Sequence, residues 1–415
     1  MVSRLDLFRG YFQRLDPAAT RVRTLRDELY IEPPSRAVGA QLATRLQLAP
    51  RSSHLIVGGV GTGKTTQVVR AAELLNETKD TRAVYVDVSR RHDLDKNLVG
   101  VLLVLAGLEL AKLLRHHEDT TVKAVREQFT RWAYGHREFV PYDPSDDDDD
   151  DRDYDHEPGD YNHEPGDYVY RPGVLTRPLP PLPSGINERI AALKTLTSAL
   201  SPETEHFVIF FDSLDRLDDV EAFQRAAVED VRALQQAEIG LAIVGPGRVL
   251  YGPNRPIVDI FDQLHSVPAV DVLSDGDGSA HRFLDRVLAK RADDNVISPN
   301  ARSALVQWSG GLLRDLLELT RSAVEAAFVA GADSVTDAHI ASSVDAFGRT
   351  LMFGLRKNDL LTLQKLRLHK VFVPTTDDDL SLLVSRRVIE YPGITKRYSV
   401  HPTIEPLLAS LEVEK

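Results

Sequence analysis

Residues 58–65 read GGVGTGKT and match the spacing G-x-x-x-x-G-K-[ST]. Gly58, Gly59, Gly61 and Gly63 let the backbone curl so that its N–H groups, with those of Val60 and Thr62, aim at phosphate oxygens. Lys64 then reaches the β and γ phosphates of a bound nucleotide, and Thr65, followed by Thr66, offers a hydroxyl to Mg²⁺. This chemistry needs a second oxygen ligand at the end of another apolar strand. The run HFVIFFD, His206–Asp212, supplies Asp212, placed to hold the metal directly or through water. Asp215 follows one turn later, where a carboxylate would orient water for in-line attack on a γ-phosphate. A surface ion pair with Arg216 or Arg225 is the competing use of Asp215.

A strand must end and a helix begin at such a loop. Ser53–Val57 is a short apolar strand, Lys64–Glu77 an amphipathic helix, Ala83–Val88 a second strand and Leu94–Leu114 an apolar helix. Further on, the pattern predicts helix Ile186–Leu200, strand Phe207–Phe211, helix Val220–Gln236 and strands Ile239–Val244 and Val267–Val272. Apolar runs alternating with amphipathic helices imply βα units and a parallel α/β sheet. No strand follows Ser279 for about a hundred residues by the same pattern criterion; Ser298 followed by Pro299 signals one of the helix starts there. Helices Asp359–His369 and Asp378–Ser385, strand Val388–Tyr391, a Pro392-Gly393 turn and strand Arg397–Val400 then spell a winged helix.

A chain of 415 residues exceeds what one core usually serves, so two or three domains are expected. Apolar residues at 42% and charged residues at 27% exclude a wholly disordered or fibrous chain. The absence of cysteine excludes disulfides, thiolate metal sites and a cysteine nucleophile. Nothing resembles a cleavable signal peptide, and the apolar run Leu98–Leu108 is too short to cross a bilayer, so a cytoplasmic, membrane-free protein is expected.

The net charge of -12 is local. Asp143–Tyr168 holds 13 acidic residues against Arg152 alone, and the remainder is neutral, with 49 acidic and 49 basic residues. This segment carries six consecutive aspartates, Asp146–Asp151, and two copies of HEPGDY; with the Pro-rich stretch after it, residues 141–184 read as a disordered insertion. Neither the aspartates nor His116-His117 and the repeat histidines have the spacing of a metal site. The expected organisation is an N-terminal helical segment (1–45, with Arg21, Arg23 and Arg26), a phosphate-loop domain (46–275, interrupted at 141–184), a helical lid domain (279–350) and a winged helix (351–415).

These motifs resemble the ASCE branch of P-loop ATPases, in which an extra strand separates the phosphate-loop strand from the magnesium strand. Within it, the chain looks most like the STAND class of signal-transducing ATPases, with features of the origin-recognition AAA+ group. The spacing Asp212-Ser213-Leu214-Asp215 is similar to the magnesium motif of STAND ATPases and departs from the Asp-Glu pair of most AAA+ enzymes. The resemblance implies ATP or ADP with Mg²⁺ as cofactors and slow turnover. It implies a γ-phosphate-sensing role for Arg248 in VGPGR. Arg314, after Trp308–Leu313, is similar to the sensor 2 arginine of origin-recognition ATPases. His401, in Tyr398–Pro402, stands where the winged helix of apoptotic and plant-resistance STAND proteins places a histidine on the ADP β-phosphate.

By the same resemblance, the chain is a Mg-dependent ATPase acting as a molecular switch with a partner protein that supplies sensing or output, assembling into a homo-oligomer in the ATP state, in bacterial conflict or antiviral defence. Two alternatives stand beside it. One is a DNA-acting ATPase of the origin-recognition or transposition-regulator kind, against which Asp377, Asp378 and Asp379 at the recognition helix weigh. The other is a nucleotide-binding scaffold with little hydrolysis.

Overall fold

The computed structural model describes residues 3–17, 29–33, 37–141, 166–171, 173–175, 185–200, 206–217, 219–251, 257–274, 276, 278–393 and 396–411. The Asp146–Asp151 run, most of the HEPGDY tandem and the arginines at 21, 23 and 26 lie outside these residues.

Five strands, β1 (Ser53–Val57), β2 (Thr81–Asp87), β5 (His206–Asp212), β6 (Gly240–Val244) and β7 (Gln263–Ser266), form a parallel sheet in the order β2-β5-β6-β1-β7. All five residues of β1 and all five of β6 are buried. That burial on both faces is why these strands read as unbroken apolar runs rather than alternating ones. The register pairs Leu55 with Ile243, Phe211 with Ile243, and Asp87 with Asp212. β6 therefore separates the phosphate-loop strand β1 from the carboxylate strand β5, and this order defines an ASCE-type P-loop fold.

Helices cover both faces. α1 (Arg4–Arg14) packs away from the sheet, and on one face α2 (Val38–Leu48) packs on α3 (Lys64–Asn76) so closely that a side chain at Gly39 would meet the Gln67 carbonyl at 2.6 Å. Leu42, Leu46, Val68, Leu75 and Phe210 join in one core there. On the other face, α4 (Val101–Leu113) is buried along almost its whole length beside α5 (Thr120–Tyr134) and α6 (Ile186–Ser198).

Five expectations are corrected. The helix expected from Leu94 starts at Val101, because Gly100 takes φ +83° and the buried Asp230 carboxylate accepts the N–H groups of Gly100 (2.7 Å) and Leu102 (2.9 Å), fixing the helix start. Burial pushes Asp230 up to about 7, against the lowering effect of those amides. The helix expected over Val220–Gln236 is α7 (Val220–Ala226) and α8 (Arg232–Gln236), joined by a π-helical turn over Ala227–Val231 that carries this same Asp230. The last strand is Gln263–Ser266 rather than Val267–Val272. Val267 still donates to the Val57 carbonyl (2.8 Å), but Pro268 has no N–H to extend the ladder, and the chain leaves so that Val270 donates to Gly311 (3.2 Å).

The fourth correction concerns the insertion. Within 141–184, Gly166–Arg171 forms strand β4, antiparallel to β3 (His136–Pro141), and Val174 and Leu175 donate to the carbonyls of Trp132 and Ala133. The fifth concerns residues 1–45, which are not one unit. α1 buries Phe8 and Tyr11 in the lid core, whereas α2 belongs to the sheet domain.

The lid comprises α9 (Ser279–Ala289), α10 (Pro299–Trp308), α11 (Leu313–Val329) and α12 (Asp337–Met352). Ser298 caps α10 by accepting from the Ala301 N–H, with Pro299 in the first turn. α12 runs on into the last domain, where Leu351 joins the core of the winged helix. That unit is α13 (Lys357–His369), α14 (Asp377–Val384) and the antiparallel pair β8 (Val388–Tyr391) and β9 (Arg397–Val400), closed by α15 (Glu405–Ser410). Among the described residues no helix is long and apolar enough to cross a membrane.

Candidate functional site

The loop between β1 and α3 needs its glycines for two separate reasons. Gly61 and Gly63 take φ +86° and +95°, which only glycine adopts without strain. At Gly58 a side chain would meet the Val267 carbonyl at 2.2 Å. Lys64 is buried to 5% exposure, and its ammonium donates to the carbonyls of Gly58 (3.0 Å) and Gly59 (2.9 Å) while pairing with Asp215 Oδ2 at 2.9 Å.

Asp215 thus forms neither of the arginine pairs that compete for it in the sequence. Arg225 instead reaches Asp219 and Glu221. Asp212 ends β5 and is 1% exposed. Its Oδ2 accepts the Tyr85 hydroxyl at 2.7 Å and its Oδ1 accepts the Ser213 N–H at 2.7 Å. Ser213 holds that bond at φ 75°, a left-handed conformation costly for a residue with a side chain. Tyr85 was not singled out in the sequence; its place on the neighbouring strand two residues before Asp87, the partner of Asp212, is the signal that would have found it.

The glycine loop opens into a cavity of about 600 Å³. Val60, Gly61, Thr62, Gly63, Lys64, Thr65 and Thr66 line it from the loop; Asp215 and Arg248 enter from the ends of β5 and β6, and Arg314 from the first turn of α11. Its apolar lining includes Tyr30, Ile31, Val38, Phe283, Val287 and Leu317. Burial pushes the Tyr30 hydroxyl up to about 12, so it stays neutral at pH 7. Arg291, lowered to about 10 by burial, donates to the carbonyls of Leu29 and Val287 and so ties the segment around Tyr30 to α9.

Val384 and Pro392 of the winged helix also line this cavity. A smaller space of about 100 Å³ continues between Lys64, Asp215 and Arg248 on one side and Leu380, Leu383 and Arg386 on the other. Asp212 lines neither space, while Gly58 and Gly59 line only the smaller one.

His401 is not brought to the cavity. It is fully buried, with Nδ1 2.8 Å from the Thr403 hydroxyl and Nε2 3.2 Å from Asp315 Oδ2, and it caps the turn Pro402–Ile404 by accepting the Thr403 N–H. Its partner is a lid carboxylate, and the expected contact with a β-phosphate is corrected accordingly: both ring nitrogens are already engaged inside protein.

No family model and no curated protein sequence matches the chain. Among solved structures it is similar to ORC from Drosophila bound to DNA, at 13% identity over 99% of this chain and 92% of that one, with a TM-score of 0.43. It is similar to the Aeropyrum pernix ORC1 protein in complex with DNA at 15% identity, over 96% of each chain, with a TM-score of 0.42. The Thermotoga maritima RuvB Holliday junction branch migration motor follows at 14% identity, over 92% and 98%, with a TM-score of 0.39.

Proposed function

We propose that the chain is a Mg²⁺-dependent, slowly hydrolysing ATPase that works as a switch with a partner protein. The observation that carries this reading is the composition of one cavity wall: the phosphate loop, the sheet-end arginine, the lid and the winged helix all contribute to it. A nucleotide there touches every domain, so loss of the γ-phosphate changes contacts among them. The phosphates lie on the loop amides and Lys64, and the base takes the apolar lining that includes Tyr30 and Phe283. Adenine is the base that the resemblance to STAND and origin-recognition ATPases implies.

The donors suit magnesium, since Thr65 offers a hydroxyl and Asp215 a carboxylate at the cavity, both hard oxygen ligands, while Asp212, which lines neither space, would act on the ion through water. Bound Mg²⁺ would neutralise charge on the β and γ phosphates. Asp215 then has to leave Lys64, or share it, before orienting water. An ion pair that must be exchanged before attack supports slow turnover.

The recognition-helix face of α14 supports the switch over the DNA-acting alternative. Leu380, Leu383 and Val384 face the nucleotide cleft, and the first turn carries the exposed Asp377 and Asp378 beside Asp379, whose carboxylate closes the capping box, a set of charges that repels phosphate. The test is calorimetry with ATP and ADP, combined with small-angle scattering in each state. Micromolar binding that requires Lys64, with different scattering profiles for the two nucleotides, is expected. Absence of binding overturns the reading, and DNA binding that falls steeply with salt restores the alternative. A protein that co-purifies in only one nucleotide state identifies the partner and tests the setting in bacterial conflict or antiviral defence.

A further inference from the structure

Asp315 follows Arg314 in the first turn of α11 and is completely buried. Both of its oxygens are used by the winged helix: Arg386 donates from Nη1 to Oδ1, and His401 Nε2 lies 3.2 Å from Oδ2. Arg386 adopts φ 65° while doing so, a left-handed conformation for a non-glycine residue, just after its N–H closes α14 on the Leu383 carbonyl. One residue earlier, the Arg314 N–H donates to the Gly61 carbonyl at 3.1 Å, and a side chain at Gly61 would meet Arg314 Cβ at 2.9 Å. Two consecutive residues of α11 therefore hold the phosphate loop on one side and the winged helix on the other.

We propose that Asp315 is a positioning residue: by holding Arg386 and His401 on the first turn of α11, it makes the aim of Arg314 at the nucleotide depend on where the winged helix sits. This rests on the nucleotide reading above and adds the part that transmits. A carboxylate buried between an arginine and an imidazole that both come from the winged helix keeps its partners only while that unit stays docked; withdrawing it removes both together and obliges the site to admit water. The contact therefore has two discrete states, docked and solvated, rather than a continuum. The wing is held elsewhere too, by Tyr391 donating to the Gly310 carbonyl (2.7 Å), by Ile389 and Tyr391 packing on the N-cap residue Leu312, and by Tyr251 donating to Glu390 (2.6 Å), but the Asp315 contact is the one of these that bonds a side chain within the first turn beside Arg314.

The test uses the full chain and ADP carrying a fluorescent ribose label. Asp315→Asn keeps the shape and removes the charge; it should bind ADP through an intact phosphate loop yet release it at least tenfold faster, and the segment 353–357 should become cleavable by protease in the ADP state. Arg386→Asn, which tolerates the left-handed backbone, should do the same from the other side, and it carries the test if Asp315→Asn does not fold. Wild-type release and protection in a folded Asp315→Asn or Arg386→Asn variant overturns the proposal. ADP binding unchanged by Lys64→Ala overturns the nucleotide reading instead, so the two failures are distinguishable.

Discussion

The two ends of β1 place the same strand in opposite surroundings. At the carboxyl end, the chain leaves the sheet through Gly58–Gly63, and the groups it gathers, Lys64, Asp215, Arg248 and Arg314, border open space. At the amino end, polar groups are as numerous but satisfy one another. Ser53 donates from both N–H and hydroxyl to Asp262 Oδ2 at 2.8 Å and accepts from Gln235, while His54 Nδ1 lies 2.9 Å from His265 Nε2 and His54 Nε2 2.8 Å from the Ser52 hydroxyl. Residue type alone therefore does not mark a site: the buried histidine pair and the aspartate–serine network line neither of the two spaces described above. In a parallel sheet the loops and helix N-termini that bind anions gather at the carboxyl edge, and ligands follow them there.

The contrast can be broken by substitution. The largest effect is expected from Lys64→Ala, which removes the one point charge the loop carries and should abolish ATP and ADP binding by calorimetry; unchanged affinity would remove nucleotide binding from this end of the sheet. Asp215→Ala should keep nucleotide but slow turnover tenfold or more, on the order of 1.4 kcal/mol in barrier, in a steady-state phosphate-release assay. Normal turnover would return Asp215 to a mere counter-ion of Lys64.

At the amino end the signs reverse. Asp262→Ala leaves the buried Ser53 N–H without its acceptor and should lower unfolding stability by about 1 kcal/mol in a urea titration, with ADP affinity unchanged. A loss of affinity would show that the two ends are coupled. A different response is expected of the histidine pair, which answers to pH rather than to a lost acceptor. Burial holds His54 down to about 3 and His265 to about 4, with the neighbouring Arg45 lowering both, the second imidazole lowering His54, and Asp262 opposing this for His54. Because the unfolded chain then binds protons first, stability should be intact above about pH 6.5 and decline as the pH falls from there toward 4. The double variant His54→Gln, His265→Gln should flatten that slope in melting curves taken from pH 7 to 5; an unaltered slope would assign the acid response elsewhere.

The sequence was sufficient wherever a local rule acts alone. The glycine spacing at 58–63, the apolar runs of β1, β5 and β6, the Ser298-Pro299 helix start and the order of helices and strands from Lys357 to Val400 all follow from backbone permissiveness, burial on two faces and cap chemistry, each written within a few neighbouring residues. It failed at joints set by distant partners. Helix α4 starts where Asp230, more than a hundred residues away, meets its first amides. The sheet stops pairing at Pro268 because the chain is drawn to Gly311.

The same division runs through the site. Lys64 and the loop around it were legible because a phosphate cradle is a contiguous motif. That Asp215 would pair with Lys64 and not with Arg216 or Arg225, that Tyr85 would hold Asp212, and that His401 would turn from the cavity to Asp315 were decided only by packing across strands and domains. A carboxylate or an imidazole states in the sequence what it is able to bind. Which partner it meets depends on contacts between residues far apart in the chain, and these exist only once the hydrophobic cores have closed.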